Sequence, residues 1–162
     1  MTKIHVEFDD NKNCQNGIPM NSIQVKKKFE APIQQVFDLL AKHATYNVAF
    51  APIQVERVVD SNDPQRPDGL GSIRRMGIGP VKPLREKITL MQENQRIEYK
   101  IIQNPLIKHH IGIIEFESLT PDSTLVTYTI ELQARVPFVS KLILAQLNSA
   151  IKLGFSKLAK SV

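Results

Sequence analysis

Residues 137–162 read PFVSKLILAQLNSAIKLGFSKLAKSV, a stretch with one helical period throughout. At about 100° per residue, Ile143, Leu144, Leu147, Ile151, Phe155, Leu158 and Val162 fall on one stripe. Lys141, Lys152, Lys157 and Lys160 fall on the other side, and no acid follows Glu131. Pro137 suits the first helical turn. The pattern predicts an amphipathic helix of roughly six or seven turns. Such a helix needs an apolar partner surface, which the preceding sequence must supply.

That surface is built from alternation. Segments at 72–79, 84–92, 96–103, 110–119 and 124–134 each place apolar residues at every second position. Gly79-Pro80-Val81-Lys82-Pro83, Gln92–Gln95 and Thr120-Pro121-Asp122-Ser123 separate them with turn chemistry, which predicts an antiparallel meander. Two further strands are expected upstream, at 23–30 and 55–59. Between them, Ala31-Pro32 opens a helix over 33–42 with Val36, Phe37, Leu39 and Leu40 at helical spacing, and 43–50 forms a short second helix. Asn62–Gly71 is turn-rich. Seven strands make a sheet near the size at which twist curls it. The expectation is an α+β chain: a seven-stranded curved antiparallel sheet around a long C-terminal helix, with a cavity between them. Residues 1–22, with an alternating Ile4, Val6 and Phe8, are expected to form an extension, partly ordered at most. Residues 23–162 are expected to form a single domain.

Composition narrows the class. A chain of 162 residues with 42% hydrophobic and 23% charged residues can bury a core, which argues against disorder. No apolar run approaches a membrane span. The lone Cys14 can form no internal disulfide and has no zinc-like neighbours. Residues 1–10 lack the basic-then-apolar order of a secretory signal. A cytoplasmic protein is expected. The formal charge is +5, but its only run is Lys26-Lys27-Lys28, which lacks interleaved aromatics. Lysines on an edge strand protect it from aggregation, and nucleic acid is not an expected partner. The unbalanced lysines of the terminal helix leave weak contact with an anionic membrane surface as a further option.

Lys28-Phe29-Glu30-Ala31-Pro32-Ile33-Gln34-Gln35-Val36-Phe37 is similar to the opening of SRPBCC (START-like) proteins, in which a strand meets Ala-Pro and then a helix with a Val-aromatic pair. Gly71-Ser72-Ile73-Arg74-Arg75 resembles the Gly-x-x-Arg strand of that superfamily. Arg85-Glu86-Lys87-Ile88 with Arg96-Ile97-Glu98-Tyr99 resembles its next hairpin. The polyketide cyclase/dehydrase-like subfamily is the nearest likeness, over about residues 23–160. Many members carry a Trp where the second helix meets the next strand; this chain has none, and Phe50 takes that place. The resemblance implies a helix-grip fold enclosing a pocket for apolar or aromatic small molecules. It also implies that Ser72, Arg74, Met76 and Ile78 face inward, a phase that alternation alone leaves open.

Polar residues on apolar faces are the informative ones in such a pocket. They are Lys27, Arg74, Glu86, Tyr99, His110 and Tyr128. Glu86 is expected to pair with Arg74 or Lys27, since an unpaired inward charge is costly. Apolar walls are expected from Met76, Ile78, Ile88, Ile101, Ile114, Ile130, Leu147 and Ile151. Leu90 is also expected inward. The expected function is binding of a hydrophobic or amphiphilic small molecule: a lipid, an isoprenoid or an aromatic, polyketide-like compound. The alternative is a polyketide cyclase/aromatase-type enzyme, with Arg74 steadying an enolate and His110 or Tyr128 moving protons. No cofactor is expected. No metal is expected either, because His109 and His110 are strand neighbours pointing to opposite faces. Tyr46 and Phe50 are expected to pack the first helix pair.

Overall fold

The computed structural model describes residues 14–15, 18–19 and 21–162. Two-residue strands β1 (Cys14–Gln15) and β2 (Ile18–Pro19) pair antiparallel. The strand expected at Ile4, Val6 and Phe8 lies outside the described residues. The main chain then runs β3 (Asn21–Phe29), α1 (Ile33–Ala41), α2 (Thr45–Ala49), β4 (Gln54–Val59), β5 (Ile73–Ile78), β6 (Val81–Gln92), β7 (Arg96–Ile102), β8 (Ile107–Thr120), β9 (Ser123–Ala134) and α3 (Pro137–Leu158).

β3 to β9 form one antiparallel sheet in the order β3-β9-β8-β7-β6-β5-β4. β4 to β9 are a meander, and β3 closes onto β9 as the far edge. Lys26 and Lys28 therefore stand exposed on an edge strand, where they discourage strand addition. β6 begins earlier than alternation indicated, at Val81. Its Pro83 is tolerated because β7 pairs only from Arg85 onward, so no ladder bond is lost on that side. A register shift between Ile88 and Leu90 changes the phase of β6. Leu90, expected inward, leaves the core face, and Met91 opposite Ile97 packs against the core instead.

The inner face is covered in two ways. α1 lays Val36, Phe37 and Leu40, all buried, over β8 and β9. Phe37 meets Phe116 edge-on at 5.2 Å between centroids. α3 buries Leu144, Ile151, Phe155 and Leu158, with Ile143, Leu147 and Val162 partly buried beside them, so the apolar stripe is the packed one. Phe155 contacts Phe29 edge-on at 5.9 Å and stacks on Tyr128 at 5.5 Å. Its start is tied to the sheet by the buried Ser140 hydroxyl, which accepts the Ala134 N–H at 2.8 Å. α2 rests directly on α3 at Gly154, where a Cβ would come within 2.9 Å of the Ala49 carbonyl oxygen. These are the parts of a grip around a helix, an α+β arrangement.

Candidate ligand-binding cavity

Between the β5–β9 inner face, α2 and α3 lies a cavity of about 360 Å³. Its polar wall comes from cross-strand partners. Arg74 on β5 stands opposite Glu86 on β6. Arg74 Nε and Nη2 both donate to Glu86 Oε2 at 2.8 Å. The guanidinium carbon lies 4.5 Å from the Tyr46 ring centroid and 4.8 Å from that of Tyr99, so two aromatic faces cover the cation. Burial, the largest single influence, opposes the charge on Arg74, but the Glu86 carboxylate and the Tyr46, Tyr99 and Tyr128 phenols together outweigh it and hold the guanidinium above its ordinary pKa. Burial pushes the Glu86 carboxyl up, and Arg74 offsets part of that rise.

The next polar groups sit on β7, β8 and β9. Tyr99 faces Gly112 across the β7–β8 ladder, and a Cβ at Gly112 would collide with the Tyr99 ring. Glycine there makes room for the ring to lie along the sheet. The Tyr99 and Tyr128 hydroxyls hydrogen-bond to each other. Burial, and then the neighbouring phenol, raises the Tyr99 hydroxyl well above its usual pKa; burial likewise raises that of Tyr128. His110 is buried, with its ring 5.4 Å from that of Tyr99, and its Nδ1 accepts the Ile101 N–H at 3.2 Å. Burial lowers its pKa to about 4, helped by His109 and Arg74. At neutral pH the imidazole is uncharged.

Ten of the sequence-predicted residues meet at this cavity. Arg74, Glu86, Tyr99, His110 and Tyr128 form its polar side; Met76, Ile101, Ile130, Leu147 and Ile151 are apolar wall. Four do not line it. Ile78 follows a register shift after Met76 and faces Val81 at the hairpin tip, 62% exposed, with nothing to cover it. Ile88 and Ile114 are inward but belong to the packed core beneath α1 and α3. Lys27, on β3, is half-buried opposite Val126 of β9. It is four strand spacings, roughly 19 Å, from Glu86, and so Glu86 takes its direct cross-strand neighbour Arg74.

Sequence reasoning passed over a further set. Tyr46 and Phe50 do stack on each other at 5.8 Å, as packing residues would, but both also line the cavity. Tyr46 donates to the Leu40 carbonyl at 2.8 Å, which holds its ring over Arg74. An inward Arg paired with one acid at its edge still has two bare guanidinium faces, which is the signal that calls for aromatic cover, and α2 supplies it in Tyr46. Ile53, Leu106 and Val139 line the mouth and remain 36%, 65% and 37% exposed. Loop and helix-start residues such as these carry no strand period. His109 points outward, 3.6 Å from Glu131. No three His, Cys, Asp or Glu side chains converge among the described residues.

A curled sheet gripping one long helix, with an apolar chamber and a buried polar cluster between them, defines the helix-grip class of START-like proteins. Residues 20–162 match the family described as polyketide cyclase/dehydrase and lipid transport, and the chain belongs to it. Its fold is similar to that of a START superfamily protein from Mycobacterium smegmatis, at 17% identity and TM-score 0.68 over 87% of this chain and 99% of that one. The Zhui aromatase/cyclase from a Streptomyces species aligns at 17% identity and TM-score 0.65, over 87% of this chain and 94% of that one. A point mutant of norcoclaurine synthase from Thalictrum flavum, in complex with a transition-state analogue, aligns at 16% and 0.68 over 91% and 98%. No curated protein matches the sequence. No described helix is long and apolar enough to cross a membrane.

Proposed function

We propose that this protein binds a hydrophobic or amphiphilic small molecule, of the lipid, isoprenoid or aromatic polyketide-like kind, in the cavity of one SRPBCC-like domain working in the cytoplasm. The observation that carries the reading is a chamber of about 360 Å³ whose walls are mainly apolar and whose few polar groups converge at one side. An apolar guest that displaces water from these walls removes apolar surface from solvent, which favours its binding. The mouth at Ile53, Leu106 and Val139 gives an apolar path inward. Native mass spectrometry and thermal shift against lipids, isoprenoids and aromatic compounds test it. Retention of one class with a raised Tm is expected; absence of binding across all three removes the reading.

The second reading, a cyclase/aromatase-type enzyme, draws support from the family's description and from the buried Arg74 beside two phenols. Proton transfer is its weak point. His110 is neutral with Nδ1 already engaged, and Tyr99 and Tyr128 hold their protons more firmly than free phenols. Replacing His110 or Tyr128 should lower turnover at least about tenfold if either transfers a proton. Weak docking on anionic lipid is supported by exposed Phe138 and Leu142 beside Lys141 near the mouth. Salt-sensitive binding to anionic vesicles tests it.

A further inference from the structure

We propose that the cavity selects an uncharged apolar guest bearing a carbonyl-type oxygen, and that His110 recognises that oxygen as a hydrogen-bond donor of fixed tautomer. The inference rests on the reading of the cavity as a small-molecule site and names the chemistry of its occupant.

The tautomer follows from the backbone. The Ile101 N–H, on the neighbouring strand, donates to His110 Nδ1 at 3.2 Å. A backbone amide has only a proton to offer, so Nδ1 must present a lone pair and Nε2 must carry the ring hydrogen. Nε2 has no hydrogen-bond partner among the described residues, while the ring stands on the cavity wall. A neutral imidazole locked this way offers the cavity a donor and no basic nitrogen. The adjoining phenols offer a second donor. Within the Tyr99–Tyr128 pair one hydroxyl proton is spent on the other oxygen, and the second remains to be given. Two donors on neighbouring side chains of one wall, the Tyr99 and His110 ring centroids lying 5.4 Å apart, suit an oxygen with two lone pairs.

Charge decides the rest. The ions in the wall are Arg74 and Glu86, which neutralise each other, and the Arg74 faces are covered by Tyr46 and Tyr99. A guest carboxylate would be a third charge in an apolar chamber with no cation left for it, and a guest ammonium would find Glu86 already engaged. Ketones, quinones and esters avoid both costs.

Four probes of equal chain length test the proposal by native mass spectrometry and calorimetry at neutral pH: 2-decanone, decane, decanoate and decylammonium. We expect the ketone to bind at least about tenfold tighter than the other three, and His110→Phe to narrow the ratio of ketone to decane affinity about tenfold. Decane, decanoate or decylammonium matching the ketone overturns the selectivity and leaves the cavity reading intact; failure of all four probes likewise overturns the proposal, whereas the cavity reading falls only if lipids, isoprenoids and aromatic compounds also fail to bind. Nitrogen NMR of the unmodified protein tests the tautomer without any variant. A protonated Nε2 and a bare Nδ1 on His110 are expected, and the reverse assignment overturns the proposal.

Discussion

The two ends of the inner sheet face are made from the same alternating strands and end in opposite states. Under α1, Ile114, Phe116 and Val126 join Val36, Phe37 and Leu40 in one buried cluster. Under α2 and the start of α3, the same strands present Tyr99, His110, Tyr128 and Ile130 to a chamber. The difference lies in what covers them. α1 brings three large side chains to one patch, whereas Ile143, Leu147 and Ala150 of α3 line the chamber together with the rings of Tyr46 and Phe50. The filled end supplies stability, and the open end spends some of it on room for a guest.

Substitutions should separate the ends. Phe37→Ala, at the filled end, should cost about 3–5 kcal/mol in urea unfolding, because it leaves a hole among side chains that cannot collapse. A smaller loss than about 1 kcal/mol would mean that end is loosely packed as well. At the open end the costly site is ionic. Glu86→Ala leaves Arg74 buried and uncompensated, which should also cost about 3–5 kcal/mol. The double variant Arg74→Met with Glu86→Leu should recover most of that loss, since the pair's removal leaves no orphan charge.

The pH dependence is the next largest effect. Burial depresses both His43 and His110 to about 4 from an ordinary 6.5. His43 has Nδ1 3.2 Å from the Asp68 carboxylate, which opposes the shift, while Arg74 and Arg57 add to it. Because the unfolded chain takes up these protons first, stability is fully present above pH 6.5 and is lost as pH falls towards 4. Each histidine contributes a slope of up to about 1.4 kcal/mol per pH unit. His110→Gln should remove its share of that slope, read from urea midpoints at several pH values. An unchanged slope would place the His110 ring in water. Leu147→Ala should be the mildest, at about 1 kcal/mol, since the side chain already borders open space. Its effect should appear instead as altered affinity for bulky guests in thermal shift.

Much of this was legible in residue order. The alternation of Val126, Tyr128, Ile130, Leu132 and Ala134 and the stripe from Leu144 to Leu158 describe their own burial, because each is a local period facing one partner. Leu90 departs from its alternation for a local reason too: a single register shift reverses the side chains after it, and nothing in the spacing marks where it falls. Ile78 and Lys27 carried the right period on strands whose ends or edges lie beyond the cavity.

The residues by themselves determined a sheet that curls, a helix with one greasy side, and an inward arginine and glutamate in need of each other. Only the folded arrangement decided which neighbour Glu86 takes, that the rings of Tyr46 and Tyr99 enclose the arginine, and that Ile101 locks the His110 proton onto Nε2. The reason is reach. Periodicity is set by neighbours a few residues apart, whereas pairing, aromatic cover and empty volume depend on strands and helices brought together from distant parts of the chain.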